Sequence, residues 1–600
     1  MASKSAQIKK IAKEETDSEN FNYVRAFKNN WHWIVLIAFI ILGANLRLYH
    51  IDYPAIGYHN MKENIYLMYA EHMYDGEGIF KLSVNYLASN QNNYQKDMLP
   101  LISWGIVILW KIFGHGLLWP RLLMVFFSLA NILLIYILVM QLSKRKELSL
   151  ISSLLMAIMP IGVFFGRNIQ PDIPGVTFIL LFSIYLYKWI KTESRKDFIL
   201  FSVFLGIAFN LKLTNIVGLF PFIFIFPYKR VLKDISSIKK HIPEALIAGF
   251  SLSTAYIWKY AQEFIMPNSS TVYDSITSEL FKGLSASYWA NSKSLLLHFI
   301  IDNFTIFYIW LAIFGLILMA LKYRTSLSRY TFGFFIGLIV YFLIVPGYMV
   351  RHNYYQAPFL VLVVIAAAYF IFIAGTFFGE LLSSLGSSII RNEIIRKENI
   401  KIIIKTSSIY FFAFVVVFLS WSSVMDSINR QFDTQFFGTD VAGDYIKSNS
   451  LPSEKVFLAP DPSGQTYNVL WYADRYGAAI PASLETFKKL EDEKNFKWIF
   501  AYGGSLHTLE QNTVYSEVWP YINENYEIAQ AGVLVLGPNN QQARYFILKK
   551  GRALNLSELN ELALLKAKDY ELTGGIIPFF ILQHPANILK NKYMHMHKIF

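Results

Sequence analysis

Cysteine is absent from all 600 residues, which excludes a disulfide framework and a thiolate metal site and leaves stability to packing. Charge is scarce as well. Asp, Glu, Lys and Arg make up 16% of the chain, against roughly 25% in a soluble globular domain. No Gly-x-Gly-x-x-Gly fingerprint occurs, and Gly503-Gly504 alone is weak evidence of a phosphate loop. What is abundant is apolar: 54% of residues are hydrophobic and 17% aromatic, the composition of a multi-spanning membrane protein. The net charge of +13 sits in short Lys and Arg clusters between apolar runs, where it sets orientation and gives no footprint for nucleic acid.

Along the chain, residues 1–30 read as an uncleaved cytoplasmic leader carrying Lys9, Lys10, Lys13, Arg25 and Lys28. A transmembrane domain follows over 31–424, with apolar windows at 31–46, 121–142, 148–166, 173–190, 198–211, 214–228, 242–260, 299–321, 329–349, 355–378 and 402–424. That is about eleven spans of helical length. Leu99 to Phe113 is also apolar, and its placement decides the topology. If it lies along the surface, the basic connectors Lys144-Arg145-Lys146, Lys191–Lys196, Lys229–Lys240, Lys322–Arg329 and Arg391–Lys401 all share the side of the leader, as the positive-inside tendency requires. It is therefore read as a juxtamembrane helix within a first outer loop, 47–120, with an ordinary span as the alternative.

That parity places the polar segments on one face: the first loop, Arg167 to Asp172, Asn210 to Asn215, the loop 261–298, and Arg351 to Tyr355. Glu63 lies in a polar, aromatic stretch where a carboxylate can serve as general base. Asp172 follows Pro171 at a helix start, where the dipole favours an acid, and a plain helix-start role is its alternative. Arg167, Lys212, Lys259, Arg351 and Lys96 bring positive charge that suits a phosphate, or are snorkelling cations. Lys212 weighs most, since it interrupts two apolar runs on the outer side.

From about residue 425 the composition turns soluble. Strands expected at 455–459, 497–502, 528–536 and 544–549 alternate with helices, which suggests a small extracytoplasmic α/β domain over 425–550 with a mostly parallel sheet. Residues 551–600, with His595 and His597, read as a C-terminal tail.

The ordered series of residues resembles the GT-C glycosyltransferases of the protein O-mannosyltransferase and aminoarabinose-transferase type. It comprises Arg47-Leu48-Tyr49 with Asp52 and Pro54; Glu63-Asn-Ile-Tyr66-Leu-Met-Tyr-Ala70; Pro100-Leu101 with Trp104 and then Phe113-Gly114; Arg121-Leu122; Arg167 with Asp172; Lys212; Trp258; and His352-Asn-Tyr354-Tyr355 with Pro358. The likeness covers about residues 31–360 and, more loosely, the α/β part. Two positions depart from the family pattern. The family's Asp-Glu pair is Lys62-Glu63 here, and its Lys before Pro-Pro is displaced, with Lys96 and Asp97 nearby.

The resemblance implies inverting transfer of a sugar from a polyprenyl-phosphate donor to a protein, lipid or glycan acceptor on the extracytoplasmic face of the plasma membrane. Glu63 would act as base, with Asp172, Asp52 and His59 as the other catalytic candidates. Lys212, Lys96, Arg121, Arg167, Arg351, His352 and Tyr355 would hold the donor's phosphate and sugar. A divalent metal, bound through Glu63 and Asp172, is an open expectation. The alternatives are a lipid or sugar transporter and a non-catalytic envelope-assembly protein.

Overall fold

Alternating apolar runs and polar breaks become packed helices in the computed structural model, which describes residues 30–88, 92–228, 239, 241–271, 280–387, 394–461, 466–537, 540–555, 557, 559 and 561–583. The leader, His595 and His597 and most of Lys229–Lys240 lie outside the described residues, as does part of Arg391–Lys401. Among the described residues seven helices are long and apolar enough to cross a membrane: α1 (Asn30–Leu48), Leu118–Ser143, Asp172–Thr192, Ala286–Leu321, Ser326–Ile344, Phe359–Leu385 and Lys401–Asp433. The other expected windows fall on broken, shorter or more polar helices. Pro160 splits 148–166 into Lys146–Ile158 and Pro160–Phe164, and 214–228 is a 3-10 turn, Leu213–Leu219, running into the short helix Phe220–Ile225.

Proline explains the first break, and a buried arginine repairs it. Pro160 has no N–H to offer the Met156 carbonyl four residues back. Arg47, fully buried near the end of α1, donates instead to the carbonyls of Met156 (3.3 Å) and Ala157 (2.8 Å), and also to Gly43 O (3.0 Å) and Ser128 Oγ (2.6 Å). The other end of α1 packs Trp31 against Tyr410 and His32 against Tyr136, toward the basic connector Lys144–Lys146. The first loop and the basic connector thus sit at opposite ends of the bundle.

The first loop contains α2 (Asn60–Tyr74) and α3 (Leu101–Phe113). At 13 residues α3 is about 20 Å long, too short for the roughly 30 Å hydrocarbon core. It buries Ile102, Ile106 and Trp110 and leaves Ile108, Ile112 and Phe113 exposed. A short helix apolar on two faces suits the membrane surface beneath a protein layer.

The C-terminal domain is a seven-stranded sheet in the order β4-β3-β5-β7-β6-β9-β8: β3 (Lys455–Leu458), β4 (Gly477–Ala479), β5 (Phe496–Tyr502), β6 (Tyr526–Gly537), β7 (Asn540–Lys550), β8 (Ala563–Leu572) and β9 (Gly575–Gln583). In the first loop β1 (Gln95–Lys96) pairs in parallel with β2 (Ser270–Thr271). The expectation of a mostly parallel sheet is overturned. Only the β4-β3-β5 part is parallel, and every pairing from β5 to β8 is antiparallel. Connection length accounts for the two sequential pairs, β6–β7 and β8–β9: a parallel crossover needs a dozen or more residues, whereas Gly537 to Asn540 and Leu572 to Gly575 leave room only for hairpins. The boundary at 550 also shifts, because β8 and β9 lie in the segment expected as a tail and complete the sheet.

The sheet grips the first loop. Tyr472 OH accepts from Ala55 N (2.6 Å), Phe436 N donates to Ile56 O (2.7 Å), and Gly477 at the sheet edge exchanges hydrogen bonds with Asn85 and Leu87. Tyr66, Ile102 and Trp110 share one apolar core with Val456, Trp498 and Tyr570 of the sheet.

Replacing Arg47 by Met leaves the Met156 and Ala157 carbonyls buried without a donor, at about 1–3 kcal/mol each. The expected result is a clearly lower melting temperature of the purified protein in detergent, read by intrinsic fluorescence.

Candidate active site

A cavity of about 310 Å³ opens where α2, the segment 97–98, the start of the helix Asp172–Thr192, the break at Lys212 and the loop 354–355 meet. Each part is placed by a local rule. Pro171 precedes Asp172, so the carboxylate falls in the first helical turn, where unpaired N–H groups favour negative charge. The helix Arg195–Leu211 ends at Lys212, whose backbone is extended (φ −164°, ψ 124°). The Ala208 carbonyl accepts both the Lys212 N–H (3.2 Å) and Asn215 Nδ2 (2.9 Å). A Cβ on Gly175 would stand 2.5 Å from the Asn215 amide, so only glycine lets the two elements meet.

Lys212 Nζ then reaches Asp172 Oδ1 at 2.5 Å, with the Tyr355 ring beneath it at 3.3 Å and the Tyr354 ring at 5.1 Å. Burying an ammonium is tolerable only with such a partner. The tyrosines are held in turn because Asn303 Nδ2 donates to Asn353 O and Gln356 Oε1, each at 2.9 Å. On the other side the wall is apolar, formed by Ile216, Val217, Phe220, Val340 and Ile344. There the helix Ser326–Ile344 comes so close that a Cβ at Gly337 would lie 2.7 Å from Phe220.

Helical phase decides which part of Lys62-Glu63 faces the cavity. Lys62 and Tyr66, four apart, share a face and line it. Glu63, turned about 100° around the axis, points into the protein and holds Arg121 with two bonds, Nε–Oε1 2.9 Å and Nη2–Oε2 3.2 Å. The two side chains are 4% and 3% exposed. Arg121 also donates to the Ile51 and Tyr53 carbonyls. The structure therefore corrects both expectations: neither the Glu63 base nor the Arg121 phosphate ligand lines the cavity, and together they pin the loop to the bundle.

Of the remaining candidates, Lys212, Asp172 and Tyr355 line the cavity. Lys96 is paired with Glu263 (2.6 Å) instead of facing the cavity. Arg167 donates to the Tyr49 and His50 carbonyls and lies over Phe432 (4.1 Å), a structural position. Asp52 and Arg351 are exposed and do not line the cavity. His352 stacks on Tyr354 (5.2 Å), and burial pushes it down to about 4. His59, in the left-handed region at φ 56°, packs against the His352 and Tyr354 rings. Burial first, and His352 second, lower it to about 3, so at neutral pH it carries no charge. The sequence reading missed Lys62, Tyr66 and Asp97 as lining residues, although the i, i+4 spacing of Lys62 and Tyr66 was available as a signal.

For a divalent metal the fit is poor. Glu63 and Asp172 are each taken by a separate cation, and among the described residues no group of three His, Asp or Glu is placed to hold an ion.

Two outcomes test this geometry. Glu63→Gln or Arg121→Met alone should destabilise by about 3–5 kcal/mol, the cost of stranding one buried charge. The double variant should cost less than the sum, as read from thermal unfolding in a double-mutant cycle. For His59 the folded state binds fewer protons than the unfolded state below about pH 6.5. Its contribution is thus present above that pH and lost as the pH falls toward about 3, by up to about 1.4 kcal/mol per pH unit. Wild type should lose more stability than His59→Gln between pH 7.5 and 5.5.

No curated protein sequence matches the chain. Residues 97–258 match the family model of the dolichyl-phosphate-mannose-protein mannosyltransferases. Among solved structures, the apo crystal structure of ArnT from Cupriavidus metallidurans superposes with a TM-score of 0.57 at 13% identity, covering 87% of this chain and 98% of that one. The same enzyme bound to undecaprenyl phosphate gives 0.56 at 12% identity, over 86% and 97%. The oligosaccharyltransferase AglB from Archaeoglobus fulgidus, in complex with an inhibitory peptide and a dolichol-phosphate, gives 0.51 at 12% identity, over 86% and 74%. The chain has the GT-C glycosyltransferase fold, and the mannosyltransferase family model matches it over the segment that runs from Asp97 through the Asp172 and Lys212 sites to Trp258.

Proposed function

We propose that this protein is a membrane glycosyltransferase that moves a sugar from a polyprenyl-phosphate donor to an acceptor at the extracytoplasmic face. One observation carries the reading: a buried lysine, Lys212, stands at the junction between a polar pocket and an apolar wall formed by two membrane segments. A lipid phosphate needs both at once, a cation for its head and a dry groove for its chain. The volume of about 310 Å³ is at the lower end of small-ligand sites. The similar ArnT and AglB structures hold undecaprenyl phosphate and a dolichol-phosphate, respectively, which supports the same donor class here.

Lys212 has three N–H donors, of which Asp172 takes one and two remain for phosphate oxygens. As the bond to the sugar breaks, negative charge grows on the phosphate, so fixed cations stabilise the transition state more than the ground state. Lys62 is the second cation of the cavity. Attack from the face opposite the departing phosphate inverts the anomeric centre. The basic connector Lys144–Lys146, at the end of the bundle away from the first loop, supports a cytoplasmic N-terminus with the sheet outside. Proteins, lipids and glycans are all acceptors that an outward cavity admits.

Lys212→Met should weaken binding of undecaprenyl phosphate by roughly 10- to 100-fold, the value of a hydrogen bond to a charged group. Titration of the purified protein followed by native mass spectrometry measures it, and an unchanged affinity removes Lys212 from the donor site. Incubating the protein with tritiated polyprenyl-phosphate sugars and a cell-envelope extract separates transfer from the transporter and assembly readings, which give no glycosylated product.

A further inference from the structure

Two carboxylates line the cavity among the described residues, and their surroundings differ. Asp172 is clasped by Lys212 at 2.5 Å. Asp97 has one oxygen, Oδ1, accepting the Met98 amide at 2.7 Å, while Oδ2 accepts no hydrogen bond from the described residues. Among the described residues the nearest cation to that second oxygen is Lys62 Nζ at 4.0 Å, beyond hydrogen-bonding distance. Asp97 is only 6% exposed, and a buried carboxylate oxygen with no donor is rare in a folded protein.

The position of Asp97 is fixed by its backbone. Its N–H donates to Gln262 Oε1 (2.9 Å) and its carbonyl accepts from Trp258 Nε1 (3.0 Å), both from the helix Ile242–Ile265. The side chain is thus held in place by neutral groups, at a cavity wall shared with Lys62, Tyr66 and Lys212. A general base needs that combination: a fixed carboxylate, close to the leaving group's cations, with a lone pair uncommitted to the chain.

We propose that Asp97 is the general base of the transfer and that it acts on a hydroxyl of the acceptor. The inference rests on the sugar-transfer reading above and assigns the base within it. Asp97 takes the hydroxyl proton, and the oxygen's electron pair forms the bond to the anomeric carbon. The bond from that carbon to the phosphate oxygen breaks, and its electron pair leaves on the polyprenyl phosphate beside Lys212. Solvent then removes the proton from Asp97.

The test uses the full-length purified protein with a panel of tritiated undecaprenyl-phosphate hexoses and pentoses, and envelope extract as acceptor. Binding of undecaprenyl phosphate is followed separately. Asp97→Asn should lower turnover at least a hundredfold while binding stays within about threefold, as for loss of a general base. Asp97→Glu should keep measurable turnover, and formate should restore part of the activity of Asp97→Ala, which a purely structural role would not allow. Asp97→Asn turning over within threefold of wild type overturns the inference and leaves the sugar-transfer reading standing. Loss of binding and turnover together, with no rescue by formate, also overturns it, because Asp97 then only positions the donor. Wild type that transfers none of the sugars overturns both.

Discussion

A cation cannot be left alone in this molecule's interior, and much of its architecture answers that constraint. Desolvating an ammonium or guanidinium costs several kcal/mol unless a partner is supplied at close range. Lys212 obtains Asp172 because one helix ends where another begins, with a glycine at the crossing. Arg121 obtains Glu63, and Arg47 and Arg167 obtain backbone carbonyls freed by a helix break and a loop. The Lys62–Asp97 contact is looser than any of these, at 4.0 Å. The tight Arg121–Glu63 pair belongs to the scaffold, whereas the cavity holds one tight pair, Lys212–Asp172, and one slack pair, Lys62–Asp97.

Much of the membrane part was legible in the sequence, because apolar runs of spanning length have few other uses. The order of short motifs pointed to the fold that the structural neighbours share. What was not legible depended on angle. Lys62 and Glu63 are adjacent in sequence but about 100° apart on the helix, and a family pattern names the pair without saying which member faces the cavity. Lys96 and Asp97 pose the same difficulty, and they diverge to Glu263 and to the cavity respectively. In the sheet, alternation found the central strands, yet hairpin lengths were overlooked, so both the direction of β6 to β9 and the end of the domain were misjudged.

The first loop joins the halves. Its two helices belong to the same apolar core as the sheet, while Arg121 and Arg47 fasten its ends to the membrane bundle. The cavity thereby draws on both halves, since α2 supplies Lys62 and Tyr66 from the loop and the bundle supplies Lys212, Asp172 and the tyrosines.

The hydrogen bonds between Tyr472, Phe436 and Gly477 and residues 55–87 have a bearing on how related proteins can exchange parts. A chimera that grafts a foreign soluble domain after residue 433 onto this bundle would meet a loop cut to fit a different partner. Ala55, Ile56, Asn85 and Leu87 would have to travel with the graft, so the seam of a workable hybrid runs through the loop and not between the last membrane helix and the sheet.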